Sequence, residues 1–594
     1  MLIRSLLPLC FLLVSPFFLL AQGSPLPVDD TDGYDLIRRL ILRYGSEGFQ
    51  QPATDLSLRP TSRSGLVRLA KTYQKLHGDD FSKVDKYRLQ RFLDDNNEWL
   101  ALEPFASTED PDKASFWIGD DFALKSLASP LHRKQKPVFN FLYPTPANTL
   151  EVNLPDFYLR FNPILDFRYG QQEGDTEGYF FNKRGLKLRA GIDDRIFINF
   201  EILETQAGLP NFVRQFRDRF ESVPGAGFVK RYSLDVANVA SGTDYLNGQG
   251  YASVDITKHV GARLGYGRHF IGDGERSLLL SDFSNNYPFL ELNWRIWKFH
   301  YRNIFAELTS GPGRERFVGG QPFTKKYMAA HYLSINLGKR FTFGLFESVV
   351  ISREDGFDLA YLNPVVLYRT IEQSVGSPDN AILGLTGRYR SPFGVEVYGQ
   401  LVVDEFQFNE LFVERRGSWA NKYGYQIGAR YADAFGVDQL DLTVERNYVR
   451  PYTYTHRVIS NYTHFAMPLA HPLGANFKEN LLAIEYRPLP RLHLRGRLYL
   501  ITQGEGTDDR VVGENLNQSH LLREMEIGNE TGQGIGYNNT LLSLTAGYEL
   551  KPNLWLEAEF LSRNKDSDDA TRDLKTTIFN LGVRWNVARQ RYEF

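Results

Sequence analysis

From about residue 156 onward, apolar and polar residues alternate with a period of two, as in strands with one apolar and one polar face. One unit repeats: two alternating runs flank a tight turn, and a longer polar loop follows. Around Ser391-Pro392-Phe393-Gly394, Leu383, Leu385 and Tyr389 fall on one face, with Thr386, Arg388 and Arg390 on the other. Beyond that turn Val395, Val397, Leu401 and Val403 alternate with Glu396, Tyr398, Gln400 and Asp404. After Arg487-Pro488-Leu489-Pro490, Leu492, Leu494, Leu498 and Leu500 alternate with His493, Arg495, Arg497 and Tyr499. Proline in such a turn removes no ladder hydrogen bond. Comparable turns fall at 193–194, 258–259, 295–296, 339–340, 435–436 and 552–553. Eight hairpins make 16 strands, and an opening strand at 156–169 and a closing strand raise the count to 18. In the closing strand Phe579, Leu581, Val583 and Trp585 oppose Asn580, Gly582, Arg584 and Asn586, and the chain ends on an aromatic residue, Phe594.

The pattern predicts an all-β fold: a transmembrane outer-membrane β-barrel of about 18 antiparallel strands over 151–594, closed so that no backbone edge meets lipid. Short turns then mark the periplasmic side, long loops the outer side, and both termini lie with the turns. A soluble sandwich or propeller also has many short strands. It explains neither the terminal aromatic nor the asymmetry between turns and loops.

The period differs in 34–100. Ile37, Leu40, Ile41 and Tyr44 form one helical stripe; Leu66, Leu69, Ala70, Tyr73 and Leu76 a second; Val84, Tyr87, Leu89, Phe92 and Leu93 a third, with Asp80 or Ser82 as N-cap. Such stripes bury against one another more often than against a partner. Residues 22–150 therefore read as a small periplasmic helical region followed by a proline-rich connection. A periplasmic protein partner docked on these helices is the competing use.

Residues 1–21 read as a signal peptide: Arg4, an apolar run, then Ala21 before Gln22. The single cysteine, Cys10, lies in that run, so the processed chain has no thiol for disulfides, metal sites or nucleophilic catalysis. Mean hydropathy is −0.36, which by itself suggests a soluble protein, but a barrel exposes only alternate residues to lipid. The 32 Tyr and 43 Phe suit the interfacial girdles of a barrel. A net charge of −2 gives no reason to expect nucleic-acid binding.

Candidate chemistry lies in the outer loops. Residues 211–220 have the pattern of a short amphipathic helix folding into the mouth. The loop 447–480 packs Tyr452, Tyr454, His456, Tyr462, His464 and Asn476 closely, residue types that stack on sugar rings and bond their hydroxyls. These six, with Arg276 second to them, are the expected substrate-binding residues. The alternative is that the loop folds inward and its tyrosines satisfy each other's hydrogen bonds. A metal on His456, His464 and His471 lacks a carboxylate at ligand spacing. A hydrolase with Ser277 and His269 lacks a nucleophile elbow. Arg189, Arg263, Arg388, Arg390, Arg495, Arg497 and Arg584 on the polar faces suit an anionic polymer, or else a lumen ion network with Glu396, Asp404, Glu557 and Glu559.

The stretch 265–292, with Gly-Tyr-Gly-Arg-His-Phe-Ile-Gly-Asp-Gly-Glu-Arg-Ser-Leu-Leu-Leu-Ser-Asp followed by Tyr-Pro-Phe-Leu-Glu-Leu, resembles the Wzi capsule-assembly family. The stretch 450–477, from Arg-Pro-Tyr-Thr-Tyr-Thr-His to His-Pro-Leu-Gly-Ala-Asn-Phe, is similar to a Bacteroidetes branch that includes RemB-type gliding-motility proteins. The resemblance implies an outer-membrane barrel of 18 strands with a helical periplasmic part. It further implies a non-enzymatic surface lectin that attaches capsular polysaccharide or exopolysaccharide, and it adds no cofactor and no catalytic residue. The other expectations are a solute channel and a motility or secretion accessory.

Overall fold

The structure is a computed structural model. It describes residues 23–594 except 46–54, 101–144, 312–322, 372–378 and the short stretches 176–177, 194, 235–238, 258, 353–355, 357–358, 365–367, 369 and 508. The expected signal peptide and most of the proline-rich connection lie outside these residues.

The period-two runs form eighteen strands in one closed antiparallel barrel. In chain order they are β1 Phe157–Gln172, β2 Tyr179–Ile192, β3 Ile196–Gly208, β4 Val239–Asp255, β5 Val260–Gly267 and β6 Tyr287–Ile296. Then come β7 Phe299–Thr309, β8 Lys325–Leu337, β9 Phe341–Ile351, β10 Asn380–Arg390, β11 Val395–Glu405 and β12 Lys422–Tyr431. The last six are β13 Leu440–Val449, β14 Phe477–Leu489, β15 Leu492–Glu505, β16 Ile535–Lys551, β17 Leu554–Ser567 and β18 Leu574–Trp585. The seam pairs β18 with β1 from Ile578↔Gln172 to Trp585↔Leu165. Closure satisfies every ladder group that an open edge would leave unpaired. Alternation places Phe167, Phe200, Leu264, Leu345, Leu385 and Leu581 on the exposed outer face, while Arg388, Gln400, Arg497, Asn580 and Arg584 are buried inside. Of the predicted turns, 295–296 and 487–490 are displaced by about two residues; the hairpins themselves turn at 297–298 and 490–491.

The helical stripes form α1 Thr31–Tyr44, α2 Arg63–His77 and α3 Lys83–Asp95. Ser82, not Asp80, caps α3 by accepting the Asp85 N–H at 3.0 Å. Ile37, Leu40, Leu66, Leu69, Tyr73 and Leu89 share one core with Tyr158 and Phe197 of the barrel. The bundle is also bound to the barrel by charge. Arg39 meets Asp433 and Asp441, each at 2.5 Å, and Asp32 meets Arg487 and Arg495, each at 2.7 Å. Asp95 accepts from Asn553 at 2.9 Å. These barrel partners sit in or beside the short turns, so the bundle closes that end. From it a finger, 55–62, enters the lumen. Leu58 and Arg59 pair with Ile271 and Phe270, and Ser57 accepts the Gly272 N–H at 2.8 Å. Residues 270–272 belong to the inward-folded loop between β5 and β6, so the two intrusions meet inside the barrel.

The C-terminus departs from the expectation. Phe594 does not end a barrel strand, and the termini do not share one end. β18 stops at Trp585; Asn586, at φ 59°, reverses the chain. Residues 586–594 then run back through the lumen. The Arg168 guanidinium donates to the Gln590 carbonyl at 3.5 Å, and the Tyr499 hydroxyl to Glu593 at 2.6 Å. Phe594 reaches the loop end, where its ring lies 5.4 Å from Phe212, 5.7 Å from Phe216 and 5.6 Å from Phe283. Nine residues at ~3.3 Å each are long enough for this traverse. The terminal aromatic thus serves the interior of the mouth, not the membrane seam.

Candidate functional site

The loop 450–477 folds inward, but its tyrosine hydroxyls bond backbone carbonyls and not one another. Tyr452, Tyr454, Tyr462, His464 and Asn476 are buried. Their polar groups are occupied. Tyr454 and Tyr462 donate to the carbonyls of Leu278 and Leu279, at 2.7 and 2.9 Å, and Tyr452 to that of Val511 at 2.9 Å. Asn476 donates to the Gly504 and Gln533 carbonyls at 3.0 and 2.9 Å. His456 is half-buried, its ring 4.9 Å from His520. Arg276 lies over the Tyr499 ring, 4.7 Å from its centroid, and 3.5 Å from Glu479, facing an inner chamber. The structure brings these residues together as a plug, with no free face for a glycan on the five that are buried. Tyr452 and Tyr454 also hold positive φ of 65° and 72°, a conformation that costs bulky residues and persists only where surrounding contacts fix it.

The two stretches that carry the family resemblance are therefore one object. Besides the tyrosine clamps, the Ser281 N–H donates to the Leu469 carbonyl at 2.8 Å, and His464 contacts the Asn286 carbonyl at 3.0 Å. Leu278, Leu279, Leu280, Tyr454, Tyr462 and Leu469 share one apolar core. Ser277 donates to the Ile271 carbonyl at 2.5 Å, while His269 is held by Tyr287 at 3.0 Å and Glu291 at 2.8 Å. The two do not form a nucleophile–base pair. His471 meets Glu479 at 2.9 Å, a carboxylate that spacing within the loop did not suggest; among the described residues no cluster of metal-ligating side chains forms.

His464 is poised for a pH effect. Its Nδ1 accepts the Thr309 N–H at 2.9 Å while Nε2 donates to Asn286, so only the neutral ring satisfies both partners. Burial pushes its pKa down from 6.5 to about 3; the Asn286 carbonyl opposes this and the Lys326 ammonium adds to it. A base depressed in the folded state gives stability that is present above the unfolded pKa and lost as pH falls toward the folded one. Urea midpoints are expected to fall between pH 6.5 and about 3, and to fall less steeply in His464→Gln. Equal slopes for the two proteins would remove His464 from this role.

The arginines of the polar faces are internally paired, many with the plugs. Arg388 meets Asp273 at 2.5 Å, Arg189 meets Glu98 at 3.1 Å, and Arg497 meets Glu485 at 3.0 Å. Arg584 meets Glu557 at 2.8 Å. The ion-network reading of these residues describes the lumen; a free cationic surface does not.

What stays open is a groove at the loop end, of about 680 Å³. One wall is α4, Asn211–Phe220, the helix expected at the mouth. Phe212, Phe216 and Phe220 recur every four residues and so share one helix face. The other walls come from 466–474, 505–507, 514–517 and 571–574, with Tyr537, Arg563, Lys565 and Phe594. Arg563 lies over the Phe212 ring at 4.8 Å and donates from Nε to the Phe594 carbonyl at 3.1 Å. Its Nη1 and the Oε2 of Glu514 are buried and have no hydrogen-bond partner among the described residues. Burial also raises the pKa of the Glu514 carboxyl. Apolar rings beside cationic and carboxylate side chains are the residue types that suit a sugar. The inner chamber is smaller, about 240 Å³, and is walled by the finger, the inward loops and the C-terminal tail. Sequence reasoning placed α4 but missed the groove, because Arg563, Glu514 and Phe594 come from three distant segments. The four-residue Phe spacing was the one signal available.

No protein-family model and no curated protein matches the chain. Among solved structures it is similar to Wzi of Escherichia coli, an outer-membrane protein involved in group 1 capsule assembly and described as a carbohydrate-binding β-barrel. The match has a TM-score of 0.56 at 12% identity and covers 95% of this chain and 100% of that one. OprD of Pseudomonas aeruginosa and OccAB2 of Acinetobacter baumannii match at a TM-score of 0.40 and 10% identity, over 72% of this chain. The closed eighteen-stranded barrel is thus a Wzi-like outer-membrane barrel fold.

Proposed function

We propose that the chain is a non-enzymatic carbohydrate-binding barrel of the outer membrane that holds capsular polysaccharide or exopolysaccharide at the cell surface. The mouth groove is the binding site, with the helical bundle on the periplasmic side. The observation that carries this is an open groove of about 680 Å³ at the loop end, lined by Phe216, Phe220 and Tyr537 together with Arg563, Lys565 and Glu514. The Wzi-like fold supports it, since that relative is described as binding carbohydrate. The buried 450–477 residues would act indirectly, as the floor that fixes the groove walls. Many copies binding one polymer would add avidity without new contacts.

Glycan-array binding by the purified barrel tests this. Phe216→Ala with Glu514→Gln is expected to weaken array binding about tenfold or more, the cost of losing a stacking face and a hydrogen bond. Tyr452→Phe, which alters only the floor, is expected to bind normally. Unchanged binding by the double variant would sink the groove as the site. The narrower placement in the branch with RemB-type gliding-motility proteins rests on the 450–477 stretch alone.

A further inference from the structure

The loop after β11 carries a lobe that packing among the described residues leaves uncovered. Phe406, Phe408, Phe412 and Val413 are 45%, 62%, 52% and 69% exposed. The three rings gather on one another, Phe408 and Phe412 at 4.9 Å and Phe406 and Phe412 at 6.1 Å. They are built on one wide helical turn, Asn409–Glu414, closed by the Arg415 N–H donating to the Glu410 carbonyl at 2.9 Å. The trailing half of the loop is tied down. Gly528 and Asn529 donate to the carbonyls of Arg416 and Gly417 at 2.7 and 2.8 Å, and the Trp419 N–H donates to the Glu526 carbonyl at 3.1 Å. The apolar half, 406–414, projects beyond that anchor. Soluble surfaces rarely show such a patch without a partner.

Position in the fold identifies the partner. Phe406 follows directly on Glu405, the last residue of β11, whose outward residues Val397 and Leu401 belong to the exposed apolar belt. At the same height Val403 pairs with Tyr423. Tyr425 and Tyr448 stack at 5.0 Å, an aromatic girdle of the kind that marks the membrane–water boundary. The lobe therefore begins where the belt ends. Its polar residues suit that boundary: Glu410 and Glu414 both close on Arg416, the latter at 2.6 Å, and Arg415 is exposed beside the rings. Exposed apolar rings flanked by charged side chains suit the interfacial plane of a bilayer.

We propose that residues 406–414 are a membrane-resting lobe, seated at the headgroup–acyl boundary of the outer leaflet. It would hold the barrel at a fixed height and tilt, so that the mouth groove faces away from the lipid. The inference rests on the outer-membrane reading, not on the glycan reading.

The test uses the full chain with Cys10→Ser, carrying one new cysteine labelled with the fluorophore NBD. The labelled protein is placed in nanodiscs of phosphatidylcholine with brominated acyl chains. Phe412→Cys reports the lobe, Leu401→Cys the belt, and Glu530→Cys an outer loop exposed to water. The label at 412 is expected to lose about as much fluorescence as that at 401, while the label at 530 keeps its emission. Quenching at 401 without quenching at 412 would overturn the lobe, and would mean that it stands in water for another partner. No quenching at 401 would overturn the membrane placement and the lobe with it. All three sites are exposed, and heat-modifiable gel mobility verifies that each variant is folded.

Discussion

Glu396→Ala is expected to destabilise the folded barrel by about 3–5 kcal/mol, the cost of leaving buried charges unpaired. Glu396 lies fully buried near the start of β11. It meets Arg390 at 2.9 Å, Arg430 at 3.2 Å, and Arg388 and Arg38 at 3.8 Å each. One carboxylate thus faces four guanidinium groups, three from the barrel and one from α1. Removing it leaves mutual repulsion at the joint between bundle and barrel. Glu396→Gln keeps the shape but not the charge, and should cost a similar amount. A surface pair such as Arg510 and Glu524, at 2.8 Å, should by contrast cost under about 1 kcal/mol. Urea unfolding in detergent, followed by tryptophan emission, measures both. A loss below about 1 kcal/mol in Glu396→Ala would show that water reaches the cluster and that the plug is looser than its contacts imply.

The second large effect concerns conductance. A barrel of eighteen strands is wide enough for an aqueous channel. Here the lumen holds the finger 55–62, the joined loops 268–286 and 450–477, and the returning tail 586–594. The intact protein is expected to be silent in a planar bilayer. Deleting 23–100 leaves the joined loops in place and should give little current. Deleting 23–100 and also replacing 270–284 with a glycine–serine linker should give steady porin-like conductance. Steady large currents from the intact protein would refute the plugged lumen and favour the solute-channel reading.

The helices differ from the strands in how their burial could be read. The stripes of α1 and α2 were visible, and they do bury against each other. That Tyr158 and Phe197 of the barrel complete the same core was not visible, since no periodicity links residue 69 to residue 197. The inward loop makes the same point. Tyr454 and Leu278 are joined across 176 positions, and Arg39 and Asp433 across 394. A cluster of Tyr, His and Asn has the same composition whether it faces a sugar or a plug. Only the backbone carbonyls waiting at Leu278, Leu279 and Val511 decide which.

Local pattern was enough to read the barrel, its strand number, the positions of most tight turns and the helix at 211–220. Side-chain alternation and turn chemistry are local, set by a few neighbouring residues and by the solvent on each face. Where the loops and the terminus go is set by contacts between segments far apart in the chain. The tail 586–594 carries an aromatic end that local pattern assigns to the last strand. It turns inward because Arg168, Tyr499 and Arg563, from three separate strands, offer it partners in the lumen. Satisfying buried polar groups is a problem of the whole fold, and its solution cannot be read from one segment at a time.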